Sequence, residues 1–253
     1  SGCGKTTLMR MVNAMVTPTS GRVFVRDQDV AGEDPVRLRR SIGYVLQEGG
    51  LFPHRSIADN IATVPRLEGA TKHASRERAL ELLELVGLET EMADRYPAQL
   101  SGGQRQRVGV ARALANRADI LLMDEPFGAL DPLVRADLQR ELKEIQRALG
   151  TTILFVTHDV DEAFTLGDQV AVLSTGGRIE QVGAPTELLT APTSPFVADF
   201  VGASRAARPV RVSGPGGLVV DEAGTPVGTL ARGGHEASTP SGASPAPVRG
   251  GRP

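Results

Sequence analysis

One segment of the sequence, Leu100-Ser101-Gly102-Gly103-Gln104, leads into residues 104–115, which we predict to be a helix. A serine hydroxyl and glycine N–H groups at the positive end of a helix dipole can bind an anion. The same residue types also make an ordinary capped helix start. Taken alone, this segment leaves an anion site and a structural cap as two open interpretations.

The chain opens with a glycine-rich segment, Ser1-Gly2-Cys3-Gly4-Lys5-Thr6-Thr7, that matches the second half of a P-loop. Apolar residues follow it at helical spacing over residues 8–15. Glycines allow backbone N–H groups to converge on a phosphate at a helix N-terminus. Lys5 would reach the β and γ phosphates, and the hydroxyl of Thr6 would hold Mg²⁺. The alternative is a solvated glycine turn.

Two carboxylates, Asp124 and Glu125, follow the strongly apolar run 120–123. Such a run predicts a buried strand, and ligands bind at the carboxyl ends of the strands in open α/β sheets. In this Walker B arrangement Asp124 would orient Mg²⁺ and its waters, and Glu125 would polarise the attacking water as a general base. The alternative is an Asp-Glu pair at a solvated strand end.

A second apolar run at residues 153–156 is separated from the first by an amphipathic segment that ends at Gly150. The apolar stripe of that segment contains Leu138, Leu142 and Ile145. This pattern predicts a βαβ unit with parallel strands buried on both faces, because the crossover helix covers one face.

Shorter segments on both sides of this unit predict the rest of an α/β fold. Further strands are predicted at residues 23–25, 42–46, 170–173 and 178–182. Further helices are predicted at residues 75–86, 104–115 and 195–201. A small β-rich lobe would lie between the first two of these strands, and the middle of the chain would be helical. The folded body is expected to end near Gly202.

The order of the motifs is specific. An LSGGQ segment between a P-loop and a Walker B strand resembles the signature motif of ABC ATPases, and the resemblance covers residues 1 to about 202. It implies a P-loop NTPase fold of the ABC ATPase type, which is a mostly parallel sheet with a small antiparallel β-lobe and a helical subdomain. It also implies an ATPase that uses ATP and Mg²⁺.

The resemblance assigns roles to further residues. Gln47 resembles the Q-loop glutamine beside Mg²⁺, the segment 129–131 resembles the D-loop, and His158 resembles the switch histidine near the γ-phosphate. The implied catalytic residues are Glu125, His158 and Gln47, and the implied metal-site residues are Thr6, Gln47 and Asp124. The implied nucleotide-binding residues are Ser1, Gly2, Cys3, Gly4, Lys5, Thr6, Thr7, Ser101, Gly102, Gly103, Gln104 and Asp131. In the family two subunits pair head to tail, so Ser101 and Gly103 would act on the ATP of the partner.

Residues 47–54 and 56–61, and also 195–205, are similar to importer ATPases for glycine betaine, carnitine, choline and related osmoprotectants. This resemblance implies a homodimer at the cytoplasmic face of the membrane, bound to transmembrane permease subunits and served indirectly by a substrate-binding protein. Two alternatives stay open. ATPases of polyamine, sulfate, ferric iron or amino acid importers share these motifs, and ABC ATPases of DNA repair or translation use the same catalytic residues without a transporter.

The composition fits this interpretation. A formal net charge of -2 provides no basic field for nucleic-acid phosphates, so we expect no nucleic-acid partner. The single cysteine, Cys3, excludes an internal disulfide framework and fits a reducing compartment. The sequence has no run of about 18–20 apolar residues, so we expect any membrane role to depend on partner subunits.

Both ends of the chain carry expectations. Upstream strands, the aromatic residue that stacks on adenine and the first P-loop glycine are expected to be missing, so the chain alone should bind ATP weakly. A micromolar affinity in calorimetry would contradict that. Residues 203–253 are rich in Gly, Pro and Ser and are expected to be mostly disordered. One hairpin, at 217–230, weakly resembles part of a regulatory CBS domain.

Overall fold

The computed structural model of the protein describes residues 2–47, 49–128 and 130–202, and the backbone of three short strands between residues 211 and 229. The chain divides into two compact units, Ser1–Ala203 and Ser204–Pro253. Within the described ranges, no helix combines the length and the apolar character needed to cross a membrane.

Helices and strands alternate along most of the first unit, which is the pattern of an α/β protein. The helices in its described part are α1 (Lys5–Val12), α2 (Pro35–Ser41), α3 (Ile57–Ile61), α4 (Thr63–Leu67), α5 (Lys72–Leu85), α6 (Gly102–Leu114), α7 (Pro132–Leu149), α8 (Val160–Leu166), α9 (Pro185–Thr190) and α10 (Pro195–Phe200). The strands are β1 (Phe24–Val25), β2 (Gln28–Asp29), β3 (Ile42–Val45), β4 (Ile120–Asp124), β5 (Thr152–Val156), β6 (Val170–Leu173) and β7 (Ile179–Gly183).

The central sheet is parallel and has the strand order β3-β4-β5. The middle strand, β4, has a partner on each side and buries Leu121, Leu122 and Met123, as expected for a continuous apolar run in a covered parallel sheet. Its register places Asp124 opposite Val156 at the carboxyl edge. The predicted parallel sheet is therefore confirmed, and the two carboxylates that follow 120–123 lie at the edge where ligands bind.

Helix α7 is the crossover between β4 and β5, and its ends are set by local residues. The Asp131 carboxylate accepts a hydrogen bond from the Val134 N–H at 3.1 Å, and Pro132 opens the helix. Gly150 ends it with a φ of 63°, in the left-handed region. The buried face consists of Leu138, Leu142 and Ile145, the stripe that the sequence predicts.

A helical subdomain forms from α3, α5 and α6. The three helices share a core of fully buried side chains, which includes Ile57, Ile61, Leu82, Leu83 and Val108. Helix α6 also packs against β3 and α7, so it connects the subdomain to the sheet. The start of α6 is therefore held close to α7, where Gly103 faces Val134.

The antiparallel lobe is smaller than the predicted strands indicate. Strands β1 and β2 pair over two residues each. The predicted strand at 42–46 is confirmed as β3, and it lies outside the lobe because it pairs with β4 in the central sheet. The intervening chain forms α2, whose start the sequence analysis did not recognise. There the Asp34 carboxylate accepts hydrogen bonds from the N–H groups of Val36 and Arg37, and Pro35 occupies the first position.

Strands β6 and β7 make a separate antiparallel pair. Helices α9 and α10 complete a small apolar cluster with them, formed by Val172, Leu188, Val197 and Val201. In the second unit, Leu218–Val220 pairs antiparallel with both Arg211–Ser213 and Pro226–Thr229. The predicted disorder concerns residues that mostly lie outside the described ranges, and the CBS resemblance of 217–230 stays a prediction.

Candidate nucleotide-binding site

The first turn of α1 has no side-chain cap in the described part of the chain. Gly4 precedes it with a φ of 91°, and no described side chain accepts a hydrogen bond from the N–H groups that follow. The first N–H groups of a helix have no partner within the helix and carry partial positive charge, so they can bind a phosphate. Lys5, Thr6 and Thr7 form this turn.

The loop before α1 brings a second cationic group close to that helix start. Gly2 has a φ of 85°, a conformation that turns the backbone towards the helix. The Lys5 ammonium lies 3.5 Å from the Cys3 sulfur, so it folds back over the loop. Ser1, also predicted to bind nucleotide, lies outside the described residues.

Thr6 and Asp124 come together although 118 positions separate them. The Thr6 hydroxyl donates a hydrogen bond of 2.9 Å to Asp124 Oδ1. Mg²⁺ prefers oxygen ligands and takes few of them from the protein when phosphates and water supply the rest. A hydroxyl beside a carboxylate fits that donor set. Burial raises the pKa of the nearby Tyr44 hydroxyl, and the Asp124 carboxylate acts in the same direction, so the phenol stays neutral here.

Glu125 occupies a strained position one residue beyond β4. Its φ of 46° lies in the left-handed region, which costs a non-glycine residue about 1–3 kcal/mol. Its N–H donates to the Val156 carbonyl at 2.9 Å, which fixes the turn to the end of β5. Its Oε2 lies 3.2 Å from His158 Nδ1. The exposed fraction is 27% for the Glu125 side chain and 60% for that of His158, so solvent and ligands can reach both.

Gln47 joins the same cluster from β3. Its Nε2 and the Glu125 Oε2 both lie 3.6 Å from the point where a Cβ on Gly128 would stand. The structure therefore brings together the predicted residues of the P-loop, the Walker B strand, the Q-loop and the switch histidine. They all lie near the carboxyl ends of β3, β4 and β5.

The signature segment forms a helix start that is capped by its own side chains, and we call this start closed. The Ser101 hydroxyl accepts a hydrogen bond from the Gln104 N–H at 3.2 Å, and the Gln104 side chain accepts one from the Ser101 N–H at 2.9 Å. This reciprocal pair is a capping box. Gly103 is needed for close packing, since a Cβ there would stand 2.7 Å from a methyl group of Val134. A Cβ added at Gly102 would stand 3.7 Å from a methyl group of Leu130, an ordinary contact distance.

The predicted site residues thus form two groups. One lies around the α1 start and the carboxyl ends of the central strands, and the other is the signature group, residues 101–104. In the described ranges, no hydrogen bond or ion pair joins residues 101–104 to residues 2–7. Asp131 belongs with the signature group, because it caps α7 next to Gly103 and Leu130. Ala129, the first D-loop residue, lies outside the described residues.

Sequence reasoning missed four residues behind His158, which are Arg135, Thr157, Asp159 and Glu162. A signal for part of this cluster was present. Asp159 stands three positions before Glu162, the spacing of a capped helix start. The Asp159 carboxylate does cap α8, accepting from the N–H groups of Asp161 and Glu162. No local pattern indicates Arg135, since its partners are distant in sequence.

The comparisons with known proteins agree with this geometry. The family profile described as ABC transporter matches residues 1–128. A carnitine transport ATP-binding protein of Listeria monocytogenes serotype 1/2a is 53% identical over 205 residues, which cover 81% of this chain and 51% of that protein. A glycine betaine/carnitine/choline transport ATP-binding protein of Bacillus subtilis is 53% identical over 205 residues, which cover 81% of this chain and 54% of that protein. The chain spans about half the length of these curated relatives.

Solved structures give the same result for the fold. A dimeric ATP-binding cassette in a post-hydrolysis state, bound to ADP and Pi, is 33% identical with a TM-score of 0.64, covering 72% of this chain and 81% of that one. The cbiO1 protein of Clostridium perfringens, part of an ABC transporter complex, is 31% identical with a TM-score of 0.68, covering 76% of each chain. The P-loop fold with a parallel sheet, a small antiparallel lobe and a helical subdomain is that of ABC ATPase cassettes, and the chain belongs to the ABC transporter family.

Proposed function

We propose that this chain is the ATP-binding and ATP-hydrolysing subunit of an ABC importer, with residues 1–202 as its ATP-binding domain. The observation that carries the proposal is the 3.2 Å contact between the Glu125 carboxylate and His158, one residue beyond the Thr6 and Asp124 pair. Glu125 would thus act as a general base beside a magnesium site formed by Thr6 and Asp124, and beside a helix start that has no side-chain cap in the described ranges. That combination suits attack of water on a terminal phosphate.

The phosphates would be bound by the N–H groups at the start of α1 and by Lys5. Mg²⁺, held by Thr6 and Asp124 with Gln47 nearby, would neutralise charge on the β and γ phosphates. Glu125 would accept the proton of the attacking water, a role worth about 10²–10⁴ in rate. The contact through Nδ1 leaves Nε2 of His158 available for the γ-phosphate.

The closed signature group would serve a second copy of the chain. Ser101, Gly102 and Gly103 have no hydrogen bond or ion pair with residues 2–7 in the described ranges, yet they form a helix start with anion-binding character. A head-to-tail homodimer would place this helix start against the ATP of the partner. ATP would favour the closed pair because both copies bind its γ-phosphate, and hydrolysis would remove that preference. The dimeric state of the ADP-bound relative supports this arrangement.

A rigid loop offers a surface for transmembrane permease subunits. Phe52 is exposed, and the Arg55 guanidinium lies 5.1 Å from the centre of its ring. The buried Asn60 side chain holds this loop by accepting from the Phe52 N–H and donating to the Phe52 and Arg55 carbonyls. Binding there would place the chain at the cytoplasmic face of the membrane.

Quaternary-amine osmoprotectants such as glycine betaine, carnitine or choline are the proposed cargo. The support is the identity of 53% to two ATP-binding proteins whose names give these substrates. The cargo would reach the permease from a substrate-binding protein and would not touch this chain.

Uptake of labelled glycine betaine at high osmolarity tests the proposal. Deleting the gene should abolish this uptake, the wild-type chain should restore it, and Glu125→Gln should not. Sulfate uptake in the same strains is the matched control and should not change. Undiminished betaine uptake in the deletion strain would contradict the cargo, and lost sulfate uptake would indicate another importer.

A further inference from the structure

The turn that carries His158 is held in place by its neighbours rather than by burial of the histidine. The Thr157 hydroxyl donates to Glu162 Oε2 at 2.6 Å and accepts from the Asp159 N–H at 3.0 Å. His158 itself is largely exposed, and its ring contacts Glu125 within the described ranges. The position of the imidazole therefore follows from how Thr157 and Asp159 are bound.

Arg135, on α7, is the cation that joins this turn to another element. Its guanidinium lies 3.4 Å from Asp159 Oδ2 and 3.8 Å from Glu162 Oε1. Glu162 is only 5% exposed, so its charge depends on a nearby cation. The guanidinium Nη2 donates a hydrogen bond of 3.2 Å to the Leu130 carbonyl. One side chain thus contacts the switch-histidine turn, the start of α8 and the D-loop.

We propose that Arg135 is a positioning residue that couples the D-loop to His158. The inference rests on the proposed ATPase function. The Leu130 carbonyl and the switch-histidine turn share one guanidinium, so a displacement of the D-loop moves the anchor of His158 relative to Glu125. The Asp131 cap and the Leu130 contact tie the D-loop to the first turn of α7, so a movement of the D-loop would carry Arg135 with it.

The guanidinium is suited to this role and an ammonium is not. Its planar fork donates in several fixed directions, whereas a lysine acts as a single point charge on a flexible stem. Arg135→Lys keeps the positive charge that Glu162 requires, so the fold should survive. It cannot contact Leu130, Asp159 and Glu162 together. This substitution removes the coupling with the least disturbance of charge.

A double-mutant cycle of Arg135→Lys and His158→Ala tests the coupling in the full chain. We expect Arg135→Lys to lower kcat for ATP hydrolysis about tenfold, with KM for ATP changed less than about twofold. In the His158→Ala background the same substitution should cost less than about twofold, because its effect passes through the histidine. An equal loss in both backgrounds, or a rise in KM alone, would overturn the proposal.

Hydrogen exchange gives a second readout that does not need turnover. Backbone amides of residues 157–163 should exchange at least about threefold faster in Arg135→Lys and in Glu162→Gln than in the wild type. Arg140→Lys is the matched control, since Arg140 lies on the same helix and pairs only with the exposed Asp137 in the described structure. Unchanged exchange in both test variants would overturn the proposal. Faster exchange in a chain that hydrolyses no ATP would support the positioning role and refute the proposed function.

Discussion

Two helix starts in this molecule carry glycine-rich segments and end in opposite states. At α1, Gly4 leaves the first N–H groups without a side-chain partner among the described residues. At α6, Ser101 and Gln104 satisfy each other's N–H groups in a capping box. Around α1 lie the Lys5 ammonium, the Thr6 and Asp124 pair and the strained Glu125, to which we assign the proposed roles in binding phosphate, Mg²⁺ and the attacking water. Around α6 stand the packing contacts of Gly103 and Leu130.

The difference shows which hydrogen bonds each helix start makes within its own chain and which it leaves for a ligand. An uncapped start lacks one or more hydrogen bonds until a ligand such as phosphate provides the acceptor. A capped start is fixed by its own side chains, and the N–H groups of Gly102 and Gly103, which the capping box does not use, can be presented preformed to another copy. We therefore expect substitutions near α1 to change catalysis with little change in stability, and substitutions at α6 to change both.

Removing the base from the α1 region is expected to have the largest effect. Glu125→Gln should lower turnover by about 10²–10⁴, because the amide cannot accept the proton of the attacking water. ATP binding should persist, and the ATP-bound dimer should accumulate in size-exclusion chromatography. Phosphate release measures the turnover.

Glu144→Gln is the control for this substitution. Glu144 is exposed on α7, far along the helix from the site, and its replacement should leave phosphate release unchanged. Turnover of Glu125→Gln close to that of the wild type would remove Glu125 from the role of base.

Loss of the Thr6 hydroxyl should have an intermediate effect. Thr6→Ala removes the group that contacts Asp124 at 2.9 Å, so the Mg²⁺ concentration for half-maximal phosphate release should rise about tenfold or more. Thr6→Ser keeps the hydroxyl and should behave like the wild type. An unchanged Mg²⁺ requirement in Thr6→Ala would show that the pair does not hold the ion.

Substitution at the α6 cap should give the smallest of these effects, and it should act on stability as well as on turnover. Ser101→Ala should lower the free energy of unfolding by about 1 kcal/mol. Ser101→Gly should lower it by only about a few tenths of a kcal/mol. Both variants lose the hydroxyl, so both should lower turnover if Ser101 also binds the nucleotide of a partner. Urea unfolding and phosphate release separate the two roles. Full turnover in Ser101→Gly would show that Ser101 acts as a helix cap and does not bind the nucleotide of a partner.

Local signals explain which parts of the fold the sequence predicts well. Asp131, Pro132 and Gly150 fix both ends of α7 through caps and backbone conformation. The run 120–123 is apolar because β4 is covered on both faces, so the placement of Asp124 at the sheet edge also follows from the pattern. Helix α1 packs against β5, the neighbour of β4 in the sheet, and this tertiary contact brings Thr6 to Asp124.

Other features depend on contacts between distant residues. The pairing of β3 with β4 rather than with the antiparallel lobe is a tertiary choice, since a short apolar strand fits either sheet. The strain at Glu125 is visible only as a backbone angle. Arg135 looks like any arginine on a helix surface until α8 and the D-loop are placed around it.

A mixing experiment tests the central claim, that a complete ATP site needs the open α1 start of one copy and the closed α6 start of another. Lys5→Ala disables the α1 start by removing its ammonium group. Gly102→Asp disables the second by charge repulsion from phosphate, and it should fold well, because an acidic residue is favourable in the first turn of a helix.

Each variant alone should release little phosphate. In an equal mixture half of the dimers are mixed and one of their two sites is intact, so roughly a quarter of the wild-type turnover should return. A mixture that stays as inactive as its components would contradict the account, because the two helix starts would then have to act within one chain.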